Sequence, residues 1–381
     1  MGICIDPLVI SCFQKTGYYI CQMRKWLVLS VLFFAVLLSV SFTGNDNPAA
    51  GLRKIYSRSP DKWPAPFVDA GVAWKELGVL PGSPLQSHLD SLQHLIELGK
   101  VLFFDPRLSS SGKISCATCH QPELSWTDGK ERSVGHAGAV NKRNSPTIQN
   151  SWFYKKLFWD GRARDLEDQA FAPINSESEM HGDMRELPRN LRKIKGYPAL
   201  FDSAFGDPGI DPDRIATAIA TFERTITSPR TKFDEFLSGK RNALNNAELR
   251  GLHLFRTKAG CINCHNGPLF TDNQFHNSGF HLNDNPENDK GLYNVTHKEE
   301  DTGNFKTPSL RDVMKTGPWM HNGMMTHMAD IIIHYNKLSP RPGKKESVML
   351  YLSNREITDL ISFLHAISVQ PPEFKKPVLP E

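Results

Sequence analysis

Apolar residues recur at helical spacing ahead of two short cysteine-rich stretches. Leu92, Leu95, Ile96, Gly99 and Leu102 share one face of a first predicted helix, and Leu249, Leu252 and Phe255 share one face of a second. Each is answered by a later helix. "DPDRIATAIATFERTI" offers Asp211 as N-cap, Pro212 at the first helical position, and Ile215, Ile219, Phe222 and Ile226 as an apolar stripe. "SNREITDLISFLHAI" opens on a Ser353 to Glu356 capping box and carries Ile357, Leu360, Phe363, Leu364 and Ile367. Little of the chain alternates at period two, so little strand is expected.

The helix pairs belong to an internal repeat. "GKVLFFDPRLSSSGKISCATCHQPELSWTD" resembles "GLHLFRTKAGCINCHNGPLFTD". Both run Gly-x-x-Leu-Phe, then a cysteine motif, then Thr-Asp, at Thr127–Asp128 and Thr271–Asp272. The pattern predicts a mainly α chain with two related domains in tandem. The first is expected over 83–228 and the second over 246–381, with a linker at 229–245. The last segment is expected to pack back on the first domain. Residues 44–82, rich in Pro and Gly, read as an extension that wraps the surface.

Composition narrows the class. The 381 residues are 39% hydrophobic and 23% charged, which is globular and allows two cores. A net charge of +4, with no basic run interleaved with aromatics, argues against a nucleic-acid partner. Residues 1–43 read as a signal region. Translation is expected to start at Met23, where Arg24 and Lys25 precede an apolar run from Trp26 to about Val40. Cleavage is expected after Ser41; the rival is an uncleaved anchor. Removing this region, with Lys15, Arg24, Lys25 and Asp6, leaves 42 basic against 40 acidic residues. It also leaves four cysteines: Cys116, Cys119, Cys261 and Cys264.

All four lie in Cys-x-x-Cys-His sequences, "SCATCH" ending at His120 and "GCINCH" ending at His265. This pattern attaches c-type haem through two thioethers, with the histidine as proximal iron ligand. A zinc ribbon would bring its cysteine pairs to within roughly 15–20 residues of each other. Here about 140 residues intervene. A thioredoxin-like pair would not repeat. Two covalently bound haem c groups are therefore expected, in an exported protein of the periplasm. A helix, a haem motif and a closing helix is the order of small cytochromes c.

With the motifs placed, "LFFDPRLSSSGKISCATCHQPEL", "KRNSPTIQN", "FWDGRARDLEDQA", "GCINCHNGPLFTD", "FKTPSLRDV" and "HNG" follow one another as in bacterial di-haem cytochrome c peroxidases and the related MauG enzymes. The resemblance covers roughly residues 85–368. It implies a peroxidatic haem on Cys116, Cys119 and His120, and an electron-transfer haem on Cys261, Cys264 and His265. Glu179 matches the family's catalytic acid and base, and Gln169 a distal glutamine. Phe158 and Pro173 match pocket positions, and Trp159 the tryptophan between the haems. His136 matches a loop histidine that caps the peroxidatic iron in some members. Asn144, Thr316 and Pro318 match the residues whose oxygens hold a calcium ion. A carboxylate near the iron suits the chemistry, because splitting peroxide unevenly needs a proton moved between its oxygens.

The second haem's sixth ligand separates the subclasses. In peroxidases with a high-potential haem it is a methionine fourteen residues after the histidine of the His-x-Gly motif. Counting from His321 reaches Tyr335, and MauG has tyrosine at the matching place. A phenolate favours ferric iron, so a low potential is expected. Met324, Met325, Met328 and His334 are rival ligands. MauG also has a tryptophan two residues before its second motif, where this chain has Ala259. The expected activity is thus reduction of hydrogen peroxide by a small donor protein, a cytochrome c or a cupredoxin. The alternatives are a MauG-like oxidase of a partner protein and a non-enzymatic electron-transfer cytochrome. Homodimers are common in the family.

Overall fold

The computed structural model describes residues 48–279, 289–337 and 351–381. The expected signal region lies outside the described residues. Among the described residues, no helix is long and apolar enough to cross a membrane.

The structure is mainly helical. The helices are α1 (Pro48–Tyr56), α2 (Gln93–Phe104), α3 (Cys116–Cys119), α4 (Leu166–Asn175), α5 (Leu187–Leu191) and α6 (Tyr197–Phe205). They continue with α7 (Pro212–Glu223), α8 (Lys232–Leu237), α9 (Asn246–Arg256), α10 (Tyr293–Thr296), α11 (Met328–Lys337) and α12 (Asn354–Ala366). Two-residue strands β1 (Phe275–His276) and β2 (Phe305–Lys306) pair antiparallel, Phe275 opposite Lys306 and His276 opposite Phe305.

Two apolar cores form around two helix crossings. In the first, α2 packs on α7, burying Leu98, Leu102, Ile215, Ile219 and Phe222. In the second, α9 packs on α12, burying Leu249, Leu252, Phe255, Leu360 and Phe363. The caps form as the sequence indicates. Asp211 accepts from Arg214 N at α7, and Ser353 and Glu356 close a capping box at α12.

Glycine decides both crossings. A Cβ on Gly99 would lie 1.8 Å from the Ala218 carbonyl oxygen, and one on Gly251 would lie 2.0 Å from that of Asp359. The repeated Gly-x-x-Leu-Phe therefore marks where one helix backbone meets the other. Gly251→Ala is expected to cost about 1–3 kcal/mol, as overpacking of a tight contact does. The midpoint of urea unfolding checks this; an unchanged midpoint would show that the crossing can open freely.

Two segments depart from their sequence reading. Residues 44–82 do more than wrap the surface, because Tyr56, Trp63 and Leu77 are buried in the second core. The stretch 229–245 is no bare linker either. Its α8 starts with a Thr231 and Asp234 capping box and buries Phe233 and Phe236 in the second core. The C-terminal tail lies on the first core: the Phe374 ring stacks on Phe104, 5.5 Å between centroids, and meets Trp126 edge-on.

Candidate active site

Each cysteine motif is a tight turn that delivers its histidine in one fixed way. The His120 N–H donates to the Cys116 carbonyl at 3.0 Å, and the His265 N–H to that of Cys261 at 2.8 Å. His120 Nδ1 lies 3.1 Å from the Trp126 carbonyl oxygen, and His265 Nδ1 lies 2.9 Å from that of Phe270. A carbonyl only accepts, so each Nδ1 carries the ring proton and each Nε2 keeps its lone pair. Burial pushes both imidazoles below their usual range and keeps them neutral. Both carbonyls belong to residues with left-handed backbones, Trp126 at φ 62° and Phe270 at φ 56°. Holding a bulky residue there costs about 1–3 kcal/mol, a strain typical of functional sites.

Both motifs open on one cavity of ≈ 1020 Å³, lined by Cys116, Cys119 and His120 and by Cys261, Cys264 and His265. None of these four cysteines is in a disulfide. Gln169 and Pro173 also line it, one turn apart on α4, whose N-terminus Asp165 caps. After α4 the chain turns back: the Met180 N–H reaches the Pro173 carbonyl and the Glu179 N–H that of Ser176, both at 3.2 Å. That turn sets Glu179 in the cavity wall with the two α4 residues and Phe158. Burial pushes the Glu179 carboxyl above the usual carboxylate range, opposed only in part by Arg162.

Trp159 lines the same cavity. Its indole N–H donates to the Asn144 carbonyl at 2.9 Å, and its own carbonyl accepts from Lys306 N at 2.9 Å. Asn144 is buried, donates through Nδ2 to the Lys130 and Glu131 carbonyls, and its N–H reaches the His321 carbonyl at 2.9 Å. Thr316 and Pro318 share the cavity wall with it. Amide and carbonyl oxygens are the donors that a hard cation such as calcium takes.

His136 sits on a loop beside the Glu179 turn. It is not part of the cavity wall; its ring stacks on His181, 4.5 Å between centroids. Its N–H donates to the Glu179 carbonyl at 2.8 Å, and a Cβ on Gly135 would lie 2.0 Å from the Ser178 carbonyl oxygen. The loop is thus fastened by its backbone to the Glu179 turn.

In the second half Tyr335 lines the cavity from α11, and Met328 does so two turns earlier on the same helix. Desolvation of the phenol and then the nearby Cys264 thiol push Tyr335 up, though 45% of the residue's surface is exposed. The other rivals lie elsewhere. Met324 is exposed, Met325 packs at the edge of the second core, and His334 Nε2 faces the Ser278 carbonyl at 3.3 Å.

Residues 93–242 match the family described as di-haem cytochrome c peroxidase. The chain is 39% identical over 288 residues to the methylamine utilization protein MauG of Methylophilus methylotrophus, covering 74% of this chain and 85% of that one. The chain belongs to the di-haem cytochrome c peroxidase family. It is also 36% identical over 319 residues to the cytochrome c551 peroxidase of Nitrosomonas europaea, covering 83% of this chain and 91% of that one. Among solved structures, a MauG-like protein associated with microbial copper homeostasis superposes with a TM-score of 0.66 at 29% identity, covering 80% of this chain and 93% of that one.

The residues present fit the two haem c groups that this family implies. The paired thiols lie beside neutral imidazoles whose Nδ1 atoms are taken up by backbone carbonyls, the arrangement that leaves Nε2 for the iron in covalent c-type attachment. A competing metal group, Cys264, Asp272 and His276, brings its donor atoms within 4.8 Å of one another. Cys264 leaves that group once it forms a thioether. What remains is an ion pair: His276 Nε2 lies 2.6 Å from Asp272, whose hydrogen bond raises the imidazole's proton affinity.

The buried Lys306 and Glu223 and the partly exposed His276 also line this cavity, and sequence reasoning assigned none of them a role. Burial pulls Lys306 down to about 7, and its Nζ rests 3.4 Å from the centre of the Tyr154 ring. Glu223 did leave a signal, for it stands four residues after Ile219 on the apolar stripe of α7.

Proposed function

We propose that this chain is a periplasmic di-haem peroxidase that reduces hydrogen peroxide to two waters. It takes two electrons from a small redox protein, a cytochrome c or a cupredoxin, and two protons. One observation carries the reading: Glu179 and Gln169 share a single cavity with both Cys-x-x-Cys-His motifs. When bound, the haems would supply the iron that meets peroxide and the store of reducing equivalents.

The chain's own groups would handle the protons. Glu179, with its raised proton affinity, accepts a proton from the inner peroxide oxygen and returns it to the outer one. Gln169, on the same wall, would orient the peroxide by hydrogen bonding. The apolar walls from Phe158 and Pro173 limit water beside it. Trp159, tied between Asn144 and Lys306, is held in one orientation for electron passage. Asn144, Thr316 and Pro318 would hold calcium where the two halves meet at the Asn144 to His321 hydrogen bond.

The direct test is steady-state peroxide consumption by the haem-loaded protein with a reduced small cytochrome as donor. Saturable turnover is expected. A protein carrying both haems that consumes no peroxide, and whose reduced form binds no carbon monoxide, would be an electron carrier instead.

Tyr335 in the cavity wall favours a second reading, a MauG-like oxidase of a partner protein. Ala259, also in the wall, lacks the aromatic ring that such electron removal would use. Tyr335→Met is expected to raise the potential of the second haem, because thioether ligation favours the ferrous state. Potentiometric titration of wild type and variant checks this. An unchanged potential would make Tyr335 a wall residue and leave Met328 as the candidate ligand.

A further inference from the structure

Glu223 closes α7 and is 4% exposed, yet its Oε2 has no hydrogen-bond partner. It lines the cavity beside Cys116, whose thiol feels its charge. In a c-type haem the cysteines join the vinyl edge, and the propionates leave from the opposite edge. Glu223 would therefore stand on the thioether side of the first haem, away from its propionates.

The surroundings offer no counter-ion. Arg224, next in sequence, turns away and makes a two-pronged pair with Glu167 of α4 at 2.7 and 2.8 Å. These two are the charges that act on Glu223, with opposite signs. Helix α2, packed on the same face, carries His94, Glu97 and Lys100. The first two are exposed and the Lys100 ammonium sits over the Phe374 ring. Burial pushes the carboxyl up to about 8, so it titrates around and just above neutral pH.

We propose that Glu223 is the proton partner of the first haem: it takes a proton from solvent when that haem gains an electron and releases it when the electron leaves. One electron and one proton enter together, so the net charge of the buried site does not change. That balance avoids the large cost of an uncompensated charge in a dry cavity. The inference rests on haem attachment at Cys116 and Cys119 and does not depend on peroxide turnover.

The experiment is a spectroelectrochemical titration of the di-haem protein from about pH 5 to about pH 10, with wild type, Glu223→Gln, Glu223→Asp and Glu179→Gln compared. In wild type the first-haem potential is expected to fall with pH around and above neutrality. The limit is about 59 mV per pH unit, the one-electron equivalent of a tenfold change in equilibrium constant. Glu223→Gln should be flat at the acid-limit potential, while Glu223→Asp and Glu179→Gln keep the slope. An unchanged slope in Glu223→Gln, or a slope lost in Glu179→Gln alone, overturns the proposal. If Glu223→Gln fails to accumulate, redox difference infrared spectra of the wild type decide. A protonated-carboxyl band that changes on reduction, and shifts in Glu223→Asp, supports the proposal; its absence overturns it.

Discussion

Replacing Glu179 by glutamine is expected to lower peroxide turnover by about 10²–10⁴-fold, the range for losing a positioned acid and base. The substitution keeps shape and polarity but removes the atom that accepts a proton. Little else should change. Glu179 makes no ion pair among the described residues, and its turn is held by backbone bonds, from Glu179 N to Ser176 and from His136 N to Glu179. Haem content and unfolding midpoint should therefore match wild type. The pH profile adds a second check. Burial raises the carboxyl's proton affinity, and the base form is the one that starts the reaction. Activity should fall on the acid side at a pH above the usual carboxylate range, and this limb should vanish in the variant. Stopped-flow mixing with peroxide measures both. A rate within a few-fold of wild type would remove Glu179 from the chemistry.

What could be read in the sequence was what periodicity and spacing encode. The helix pairs α2 with α7 and α9 with α12 were legible because their apolar stripes run at helical spacing. Their crossing points were not: the repeated Gly-x-x-Leu-Phe was visible, but not that only glycine fits against the Ala218 and Asp359 carbonyls. Both histidine ligands were legible from the cysteine motifs alone. Their carbonyl partners were not. Trp126 and Phe270 take left-handed backbones that bulky residues rarely adopt, and no residue type announces that. For His136 the motif fixes where its loop lies in the chain, not which way its ring turns. Glu223 was visible as a carboxylate on an apolar stripe, but the stripe was read for its hydrophobic members only. Residues 44–82 and 229–245 were read from composition, which does not reveal that Tyr56, Trp63, Leu77, Phe233 and Phe236 are buried.

Asp234→Ala is expected to cost about 3–5 kcal/mol, the loss that follows when one partner of a buried ion pair is removed. Asp234 and Arg311 are both within a few per cent of full burial, at 2.8 and 3.0 Å across two prongs. The carboxylate also accepts from Thr231 N at 2.9 Å and Thr231 Oγ1 at 2.7 Å, closing the box that starts α8. Burial pushes its proton affinity up, but the Arg311 hydrogen bonds win and hold it below the usual range. The contribution is thus present above the ordinary carboxylate pKa and is lost as pH falls through the lowered one. Arg311 spends its other donors on the Pro268 carbonyl at 2.7 Å and the Gly78 carbonyl at 3.0 Å. One guanidinium therefore joins the N-terminal extension, α8 and the loop whose Phe270 carbonyl orients His265. Removing Asp234 would leave that charge buried and unpaired, and the loop beneath the second haem would loosen with it. Urea unfolding measures the stability, and the ligand-field spectrum of the second haem reports the loop. The double variant Asp234→Leu with Arg311→Met, which removes both charges and restores apolar volume, should recover most of the loss. If the single variant costs less than about 1 kcal/mol, water reaches Arg311 and the pair is not the joint it is taken to be.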